Sequence, residues 1–263
     1  MATAEIGVFG GTGFYSFLDP VDEIEVETPY GAPSAPVTIA DVEGRRVAFL
    51  PRHGRAHDLP PHRINFRANL WALKEVGVER VIGPCACGAL DASLELGEFV
   101  VLDQFVDRTW GRADTFYDGA PITHVSAAEP YCPDLRRVLV ETARDLDIAV
   151  RDGGTVVVIQ GPRFSTRSES RWFSGLGWDV INMTQYPECH LARELELCYA
   201  GVAMVTDHDV GVEGIEPVSG QTVARVFAEN LERLRKLLLA AIPRIGPQPD
   251  DVCSDAIAQG RFG

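Results

Sequence analysis

The chain has 263 residues, of which 46% are hydrophobic, and a formal net charge of −14. This length is enough to bury a large core in one soluble globular domain. The acidic balance argues against a protein that coats nucleic acid or an anionic membrane, because both reward clustered Lys and Arg. No apolar run approaches the length of a membrane span, and the first residues lack the pattern of a secretory leader, so we expect a cytoplasmic protein.

Short β-branched runs alternate with helical patterns along the chain. The runs predict strands at 6–9, 37–39, 46–50, 80–82, 99–102, 155–159, 180–181 and 197–205. Apolar spacing of three and four residues predicts helices at 63–76, 135–146, 187–197 and 222–241. This alternation predicts an α/β fold with a mixed, largely parallel central sheet flanked by helices. We expect a single domain over 1–245, followed by a C-terminal arm or disordered tail over 246–263.

The segments that follow the first strands carry groups suited to an anion. Gly-Gly-Thr-Gly at 10–13 offers backbone amides and the Thr12 hydroxyl, although a plain tight turn explains it equally well. The segment 51–57 concentrates two arginines and two histidines, and Arg offers a rigid donor fork that suits phosphate. The small residues at 83–88 permit a ligand to approach the backbone, but close packing explains them equally well.

The later strands end in groups suited to a nucleoside. Phe164 offers an aromatic face on which a purine could stack, and Ser165 offers a hydroxyl. The segment 182–184 runs from a strand to a helix start. Asp207 and Asp209 follow the apolar run 197–205, where an acid more often caps a helix or starts a turn. Ligands of open α/β sheets bind at the carboxyl ends of the strands, so the convergence of these groups favours one binding crevice.

The cysteines give no sign of a metal site or a disulfide framework. None of them forms a Cys-x-x-Cys pair, and several lie in apolar surroundings, where Cys behaves as a small hydrophobe. The six are Cys85, Cys87, Cys132, Cys189, Cys198 and Cys253. We therefore expect buried thiols and no metal.

Eight motifs occur in an order that resembles a known family. They are GGTG at 10–13, RHGR at 52–55, ACG at 86–88, DQFVDRT at 103–109, FYDG at 116–119, GPRFSTR at 161–167, NMT at 182–184 and TDHD at 206–209. The chain resembles the trimeric purine nucleoside phosphorylases, and within them the 5'-methylthioadenosine phosphorylase branch. The similarity runs from about residue 6 to residue 243.

The resemblance implies one site for phosphate and a 5'-modified adenosine, in a homotrimer that needs no cofactor beyond phosphate as co-substrate. The positions that match phosphate contacts are Thr12, Arg52, His53, Cys85, Ala86 and Thr184. Those that match nucleoside contacts are Phe164, Ser165, Asn182, Met183, Asp207, Asp209, Val223 and His124, the last supplied across a trimer interface. Asp207, Asp209 and His53 are the expected catalytic residues.

Three positions depart from the pattern of the family. Cys85 stands where a phosphate-binding Thr is common, which exchanges a good hydroxyl donor for a weak thiol donor. His208 replaces a frequent Tyr. Gly220 stands where a Val often narrows the pocket for the 5' group. The last two departures leave the identity of the 5' group open.

The chemistry of the base gives a separate reason to favour adenine. Adenine presents N7 as an acceptor and its 6-amino group as a donor, whereas 6-oxopurines present acceptors at both positions. A protonated Asp207 has one donor and one acceptor and therefore matches adenine. The same proton, delivered to N7, makes the purine a better leaving group. We expect Asp209 to orient Asp207 or to reach the base through water.

Two alternatives remain open from the sequence. One is an enzyme of the same fold that acts on 6-oxopurine nucleosides or on another 5'-substituted adenosine, such as a 5'-halogenated one. The other is a nucleoside-binding protein without catalysis, for which Cys85 is the only hint. The presence of Arg52, His53 and Asp207 favours the enzyme.

Overall fold

The computed structural model describes residues 3–10, 20–210, 218–249 and 252–261. Within these ranges the strands are β1 (Ile6–Gly10), β2 (Pro20–Ile24), β3 (Val37–Val42), β4 (Arg45–Pro51), β5 (Arg80–Ala89), β6 (Phe99–Val101), β7 (Gln104–Arg108), β8 (Val150–Asp152), β9 (Thr155–Ile159), β10 (Val180–Asn182) and β11 (Cys198–His208). The α-helices are α1 (Phe66–Glu75), α2 (Pro133–Asp145), α3 (Arg167–Gly175), α4 (Gln185–Glu194), α5 (Gly220–Ala241) and α6 (Ala256–Gly260). Short 3-10 helices lie at Pro61–Arg63 and Ile242–Arg244.

The described strands form one sheet. Its main path runs β2-β3-β4-β1-β5-β10-β9-β7, and β11 joins β5 to β6, which pairs in turn with β8. Six strand pairs are parallel, and four are antiparallel. The predicted mixed, largely parallel sheet is therefore confirmed.

Helices pack on both faces of this sheet. Leu70 of α1 and Leu191 of α4 belong to one apolar cluster. Leu139 of α2 and Leu238 of α5 belong to a second cluster. The strands β1, β5 and β11 contribute side chains to both clusters, because successive residues of a strand point to opposite faces.

The long strand β5 is the centre of the architecture. Along one edge it pairs with β11 over the range 80–89. Its other edge is shared by β1, which pairs with 80–82, and by β10, which pairs with 88–89. The stretch 83–87 lies between these two partners. In this stretch β5 is paired with β11 on one edge only.

Several element boundaries differ from those predicted. The strand predicted at 197–205 extends to His208, so Asp207 is not in a turn after the strand but is paired with Gly88 inside it. A bulge between Val205 and Asp207 interrupts the register. The helix predicted from 187 begins two residues earlier, with a non-helical Tyr186 in its first turn.

The described part of the C-terminal segment packs on the body of the protein. Arg193 donates a hydrogen bond to the carbonyl of Val252, and Glu196 accepts one from the amide of Ile257. Cys253 is fully buried. The division of the chain at residue 245 stays a prediction. Within the described ranges, no helix combines the length and the apolar character that a bilayer crossing requires.

Candidate active site

Arg52 follows β4 directly and is held by a buried carboxylate. Its Nε and Nη2 donate to the two oxygens of Glu188 at 2.8 and 2.6 Å, and its Nη1 donates to the carbonyl of Pro84 at 2.6 Å. Burial works against the charge, but Glu188 outweighs it and holds the pKa of Arg52 above its ordinary value. A guanidinium has five N–H groups, so two are left for a ligand.

Glu188, the partner of Arg52, is held in place by its own neighbours. Tyr199 of β11 donates its hydroxyl to Glu188 Oε1 at 2.6 Å. A methyl group added at Gly83 would lie 1.8 Å from the Tyr199 hydroxyl oxygen. Gly83 is therefore required for packing behind the site, which decides between the two explanations of the small residues at this position.

His53 is neutral at physiological pH. Burial lowers its pKa to about 4. Its Nδ1 lies 2.9 Å from the carbonyl of Leu59. A carbonyl can only accept, so Nδ1 carries the proton and Nε2 is left as an acceptor. His53 can therefore receive a hydrogen bond from the hydroxyl of hydrogen phosphate.

Cys85 lies in the stretch of β5 that is paired with β11 alone. Gln185 donates an amide hydrogen bond to its sulfur at 3.5 Å. Burial raises the pKa of Cys85 to about 11, so it stays a thiol. Ala86 follows it and is half-buried. Thr184 stands at the N-cap of α4, but its side chain makes no capping bond.

Asn182 is the last residue of β10. It is 6% exposed. Its Oδ1 accepts a weak bond from the backbone of Gln185, and its Nδ2 is buried with no hydrogen-bond partner among the described residues. A buried amide donor is costly to leave unpaired. The hydroxyl of a ribose would satisfy it.

Asp207 is a buried acid near the end of β11. It is 9% exposed, and its Oδ2 accepts a hydrogen bond from Thr206 at 2.9 Å. Burial raises its pKa to about 6, and the charge of Asp209 adds to the effect. The bulge after Val205 sets the direction of this side chain, as bulges often do beside active sites.

Asp209 and Ser165 form a second buried pair next to it. Ser165 donates its hydroxyl to Asp209 at 2.5 Å. A methyl group added at Gly88 would lie 2.9 Å from Asp207 Oδ1 and 3.5 Å from Asp209 Cβ. Both acids therefore lie against Gly88. This geometry is consistent with the prediction that Ser165, Asp207 and Asp209 lie close together. No direct hydrogen bond joins the two acids in the described part of the chain.

Met183 is positioned by an arginine that the sequence did not single out. Arg112 donates to the carbonyls of Met183, Gln160 and Tyr186 at 2.9, 2.9 and 2.5 Å. Burial lowers the pKa of Arg112 to about 10. The Met183 sulfur lies against Gly161, where a methyl group would approach to 2.6 Å. Arg112 thus joins the loops that follow β9 and β10.

The remaining predicted site residues are Phe164, Val223, His124 and Thr12. Phe164 is 40% exposed, so its ring is accessible to a base or to another chain. Val223 lies half-buried in the first turn of α5. His124 is exposed, and its amide donates to the carbonyl of Gly260. Thr12 lies outside the described residues.

His208 has a local explanation. Its Nε2 lies 2.9 Å from the carbonyl of Leu94, to which it donates. It is half-buried and holds the loop before β6 to the end of β11. His208 is next to Asp207 in the sequence, but its Nε2 proton is donated to the carbonyl of Leu94. We therefore do not assign His208 the role of passing a proton to Asp207.

The arrangement agrees with comparisons to known proteins. The sequence model of the family described as the phosphorylase superfamily matches residues 5–243. A purine nucleoside phosphorylase of Streptomyces coelicolor is 54% identical, over 97% of this chain and 94% of the relative. An S-methyl-5'-thioadenosine phosphorylase of Mycobacterium tuberculosis is 52% identical, over 92% of this chain and 90% of the relative. That of Pyrococcus furiosus is 49% identical, over 96% and 97%.

A solved structure of known function has the same fold as this chain. Methylthioadenosine phosphorylase from Schistosoma mansoni in complex with adenine superimposes with a TM-score of 0.92 at 36% identity, over 98% of this chain and 99% of that one. The resemblance noted in the motifs is thereby confirmed. The chain belongs to the phosphorylase superfamily.

Proposed function

We propose that this protein catalyses the phosphorolysis of 5'-methylthioadenosine, giving adenine and 5-methylthioribose 1-phosphate. The observation that carries the proposal is the arrangement along β5. Arg52 is anchored at Pro84, and Asp207 lies against Gly88, four residues further on. At about 3.3 Å per residue these anchors are roughly 13 Å apart, which suits a phosphate, a ribose and a purine in line.

The phosphate end positions the nucleophile. Arg52 offers two N–H groups, Thr184 a hydroxyl and His53 an acceptor for the phosphate hydroxyl. The Thr12 hydroxyl and the amide of Ala86 complete the proposed set. Two substrates held in line make the step effectively intramolecular, so no covalent enzyme intermediate is required.

The base end activates the leaving group. A phosphate oxygen forms a bond to C1', and the C1'–N9 bond breaks with its electron pair passing to the purine. Protonated Asp207 delivers its proton to N7 and is left as a carboxylate, which regains a proton from solvent. With a pKa of about 6, about one Asp207 in ten is protonated at pH 7 before substrate binds.

Asp209, the second acid, helps to hold the groups around Asp207 in place. Asp209 accepts the hydroxyl proton of Ser165, so the Ser165 oxygen is left as an acceptor toward the base edge. We assign Asp209 a positioning role through Ser165 and an electrostatic one on Asp207, whose pKa it helps to raise. Phe164 and Met183 supply apolar contacts to base and ribose, and Asn182 supplies an amide donor to the ribose. Val223 contributes to the pocket for the 5' group.

A second candidate is a purine nucleoside phosphorylase with a wider substrate range. The name of the Streptomyces coelicolor relative favours it. A single assay separates the candidates. The protein is incubated with phosphate and, in turn, methylthioadenosine, methylthioinosine, inosine and 5'-chlorodeoxyadenosine, and the free base is measured. We expect adenine from methylthioadenosine at the highest kcat/KM. Release of hypoxanthine alone would refute the adenine assignment, and no release would favour a binding protein.

We also propose that the chain works as a homotrimer in which His124 reaches a neighbouring site. Ile122, two residues before His124 in the sequence, is 62% exposed, and Trp110 is 74% exposed. Such side chains are typical of an interface core when they lie together. Light scattering after gel filtration tests the proposal, and a monomeric mass with full activity would refute it.

A further inference from the structure

Three cysteines far apart in the sequence meet at one buried point away from the candidate active site. Cys132 is the N-cap residue of α2, Cys198 begins β11, and Cys253 comes from the C-terminal segment. Their sulfur atoms all lie within 4.8 Å of one another, and all three residues are fully buried. No cysteine of the chain is in a disulfide.

The distances suit a metal ion bound by thiolates. Zinc bonds sulfur at about 2.3 Å in a tetrahedral arrangement, which places neighbouring sulfurs roughly 3.8 Å apart. The cluster therefore needs a contraction of at most about 1 Å. Three sulfurs and no oxygen donor within the group select a soft ion such as Zn²⁺ or Cd²⁺ over Mg²⁺ or Ca²⁺.

Arg80 lies beside the cluster, because it is the register partner of Cys198 on the neighbouring strand β5. The guanidinium of Arg80 is held by Asp134 and by the carbonyl of Pro247. Its buried Nε has no hydrogen-bond partner in the described ranges.

We propose that Cys132, Cys198 and Cys253 form a structural site for a soft divalent metal ion of the zinc class. The ion fastens the C-terminal segment to the ends of α2 and β11. This segment in turn supports the loop of His124, because the amide of His124 donates to Gly260 at 2.9 Å. Binding releases thiol protons and adds stability only to the folded chain.

The test uses the full-length protein, reduced and freed of metal with a chelator. It is titrated with Cd²⁺ and with Zn²⁺ while thiolate-to-metal absorption, thermal midpoint and protease cleavage of the C-terminal segment are followed. We expect one equivalent per chain, a higher thermal midpoint and slower cleavage. Cys253→Ser should lower the affinity by at least the ten- to hundred-fold that an outer-shell partner is worth.

A matched control is available in Cys189→Ala, which removes another fully buried thiol outside the cluster and should bind metal as the parent protein does. Failure of the parent protein to take up one equivalent would overturn the proposal. So would a disulfide among the three cysteines, found by intact mass in protein kept under reductant. Neither result bears on phosphorolysis, so the two proposals fail separately.

Discussion

Replacing Asp207 with Asn removes a buried acid whose ionisation opposes folding. The pKa is about 6 in the folded chain against an ordinary value of 3.8, because burial penalises the carboxylate. The folded state therefore binds its proton more tightly than the unfolded state. The stability that this provides is present below pH 4 and is lost as the pH rises toward 6 and above.

The size of the effect follows from the shift. A difference of about two pKa units corresponds to about 3 kcal/mol at 1.36 kcal/mol per unit. Asn has nearly the same shape, keeps an oxygen for the Thr206 hydroxyl and carries no charge. Asp207→Asn should therefore raise the free energy of unfolding by about 3 kcal/mol at pH 8, and by close to nothing at pH 4.

Urea unfolding of the two proteins at several values between pH 4 and pH 8 measures this difference. The same variant should lose most of kcat with methylthioadenosine, because an amide cannot transfer a proton to N7. Asp91→Asn is a control of opposite sign. The amide of Ser93 and then Arg151 lower the pKa of Asp91, so its loss should destabilise the protein at neutral pH and less as the pH falls. A stability difference for Asp207→Asn that does not change between pH 4 and pH 8 would refute the reasoning.

Four other substitutions test separate parts of the site. Cys85→Thr supplies a hydroxyl donor in place of a thiol and should lower KM for phosphate by about two- to tenfold, as one neutral hydrogen bond is worth; an unchanged KM would contradict a phosphate contact there. Gly220→Val should fold normally, since a Cβ at Gly220 meets nothing within 4 Å. It should lower kcat/KM for bulky 5'-thio substituents by at least about tenfold relative to adenosine, and equal losses would refute its place in the 5' pocket. In Arg112→Lys, the lysine cannot reach all the carbonyls that Arg112 joins. The variant should therefore raise KM for the nucleoside more than KM for phosphate, whereas a purely structural role would change only stability. Arg52→Lys keeps the charge but loses the fork, and should raise KM for phosphate at least about tenfold, which steady-state kinetics at varied phosphate would show or contradict.

The predicted elements carry a local pattern, whereas β2, β7, β8, α3 and α6 were not predicted from the sequence. The apolar spacing of α2 and α5 and the β-branched run of β9 determine both their type and their place in the core. The end of β11 was not predictable in the same way. Thr206 and Asp207 are polar residues, and polar residues usually mark the end of a strand. Only pairing with the second half of β5 keeps them inside the sheet.

The residues of the candidate site that lie at the ends of strands could be predicted from the sequence. Those that lie behind other residues could not. Arg52, His53 and Asp207 follow or end β-branched runs and are visible in the sequence. Arg112 lies in a segment without regular structure. It donates to distant backbone carbonyls and to the Gln160 side chain and lies over the ring of Phe66, so no local pattern marks it. The cysteine cluster is hidden for a related reason, because spacing along the chain shows only metal sites whose ligands are close in sequence.

Glu188 changes the interpretation of the phosphate end most. A carboxylate in the first turn of a helix, where Glu188 lies in α4, commonly interacts with the helix dipole. In the structure it takes two of the donors of Arg52 and cancels its charge. His53 is neutral as well, because burial lowers its pKa to about 4. The pair and His53 therefore carry no net charge before substrate binds, so the proposed site would recognise phosphate by the direction of N–H and O–H groups. Such a site can release a sugar phosphate after the reaction, which a surplus of buried positive charge would retain.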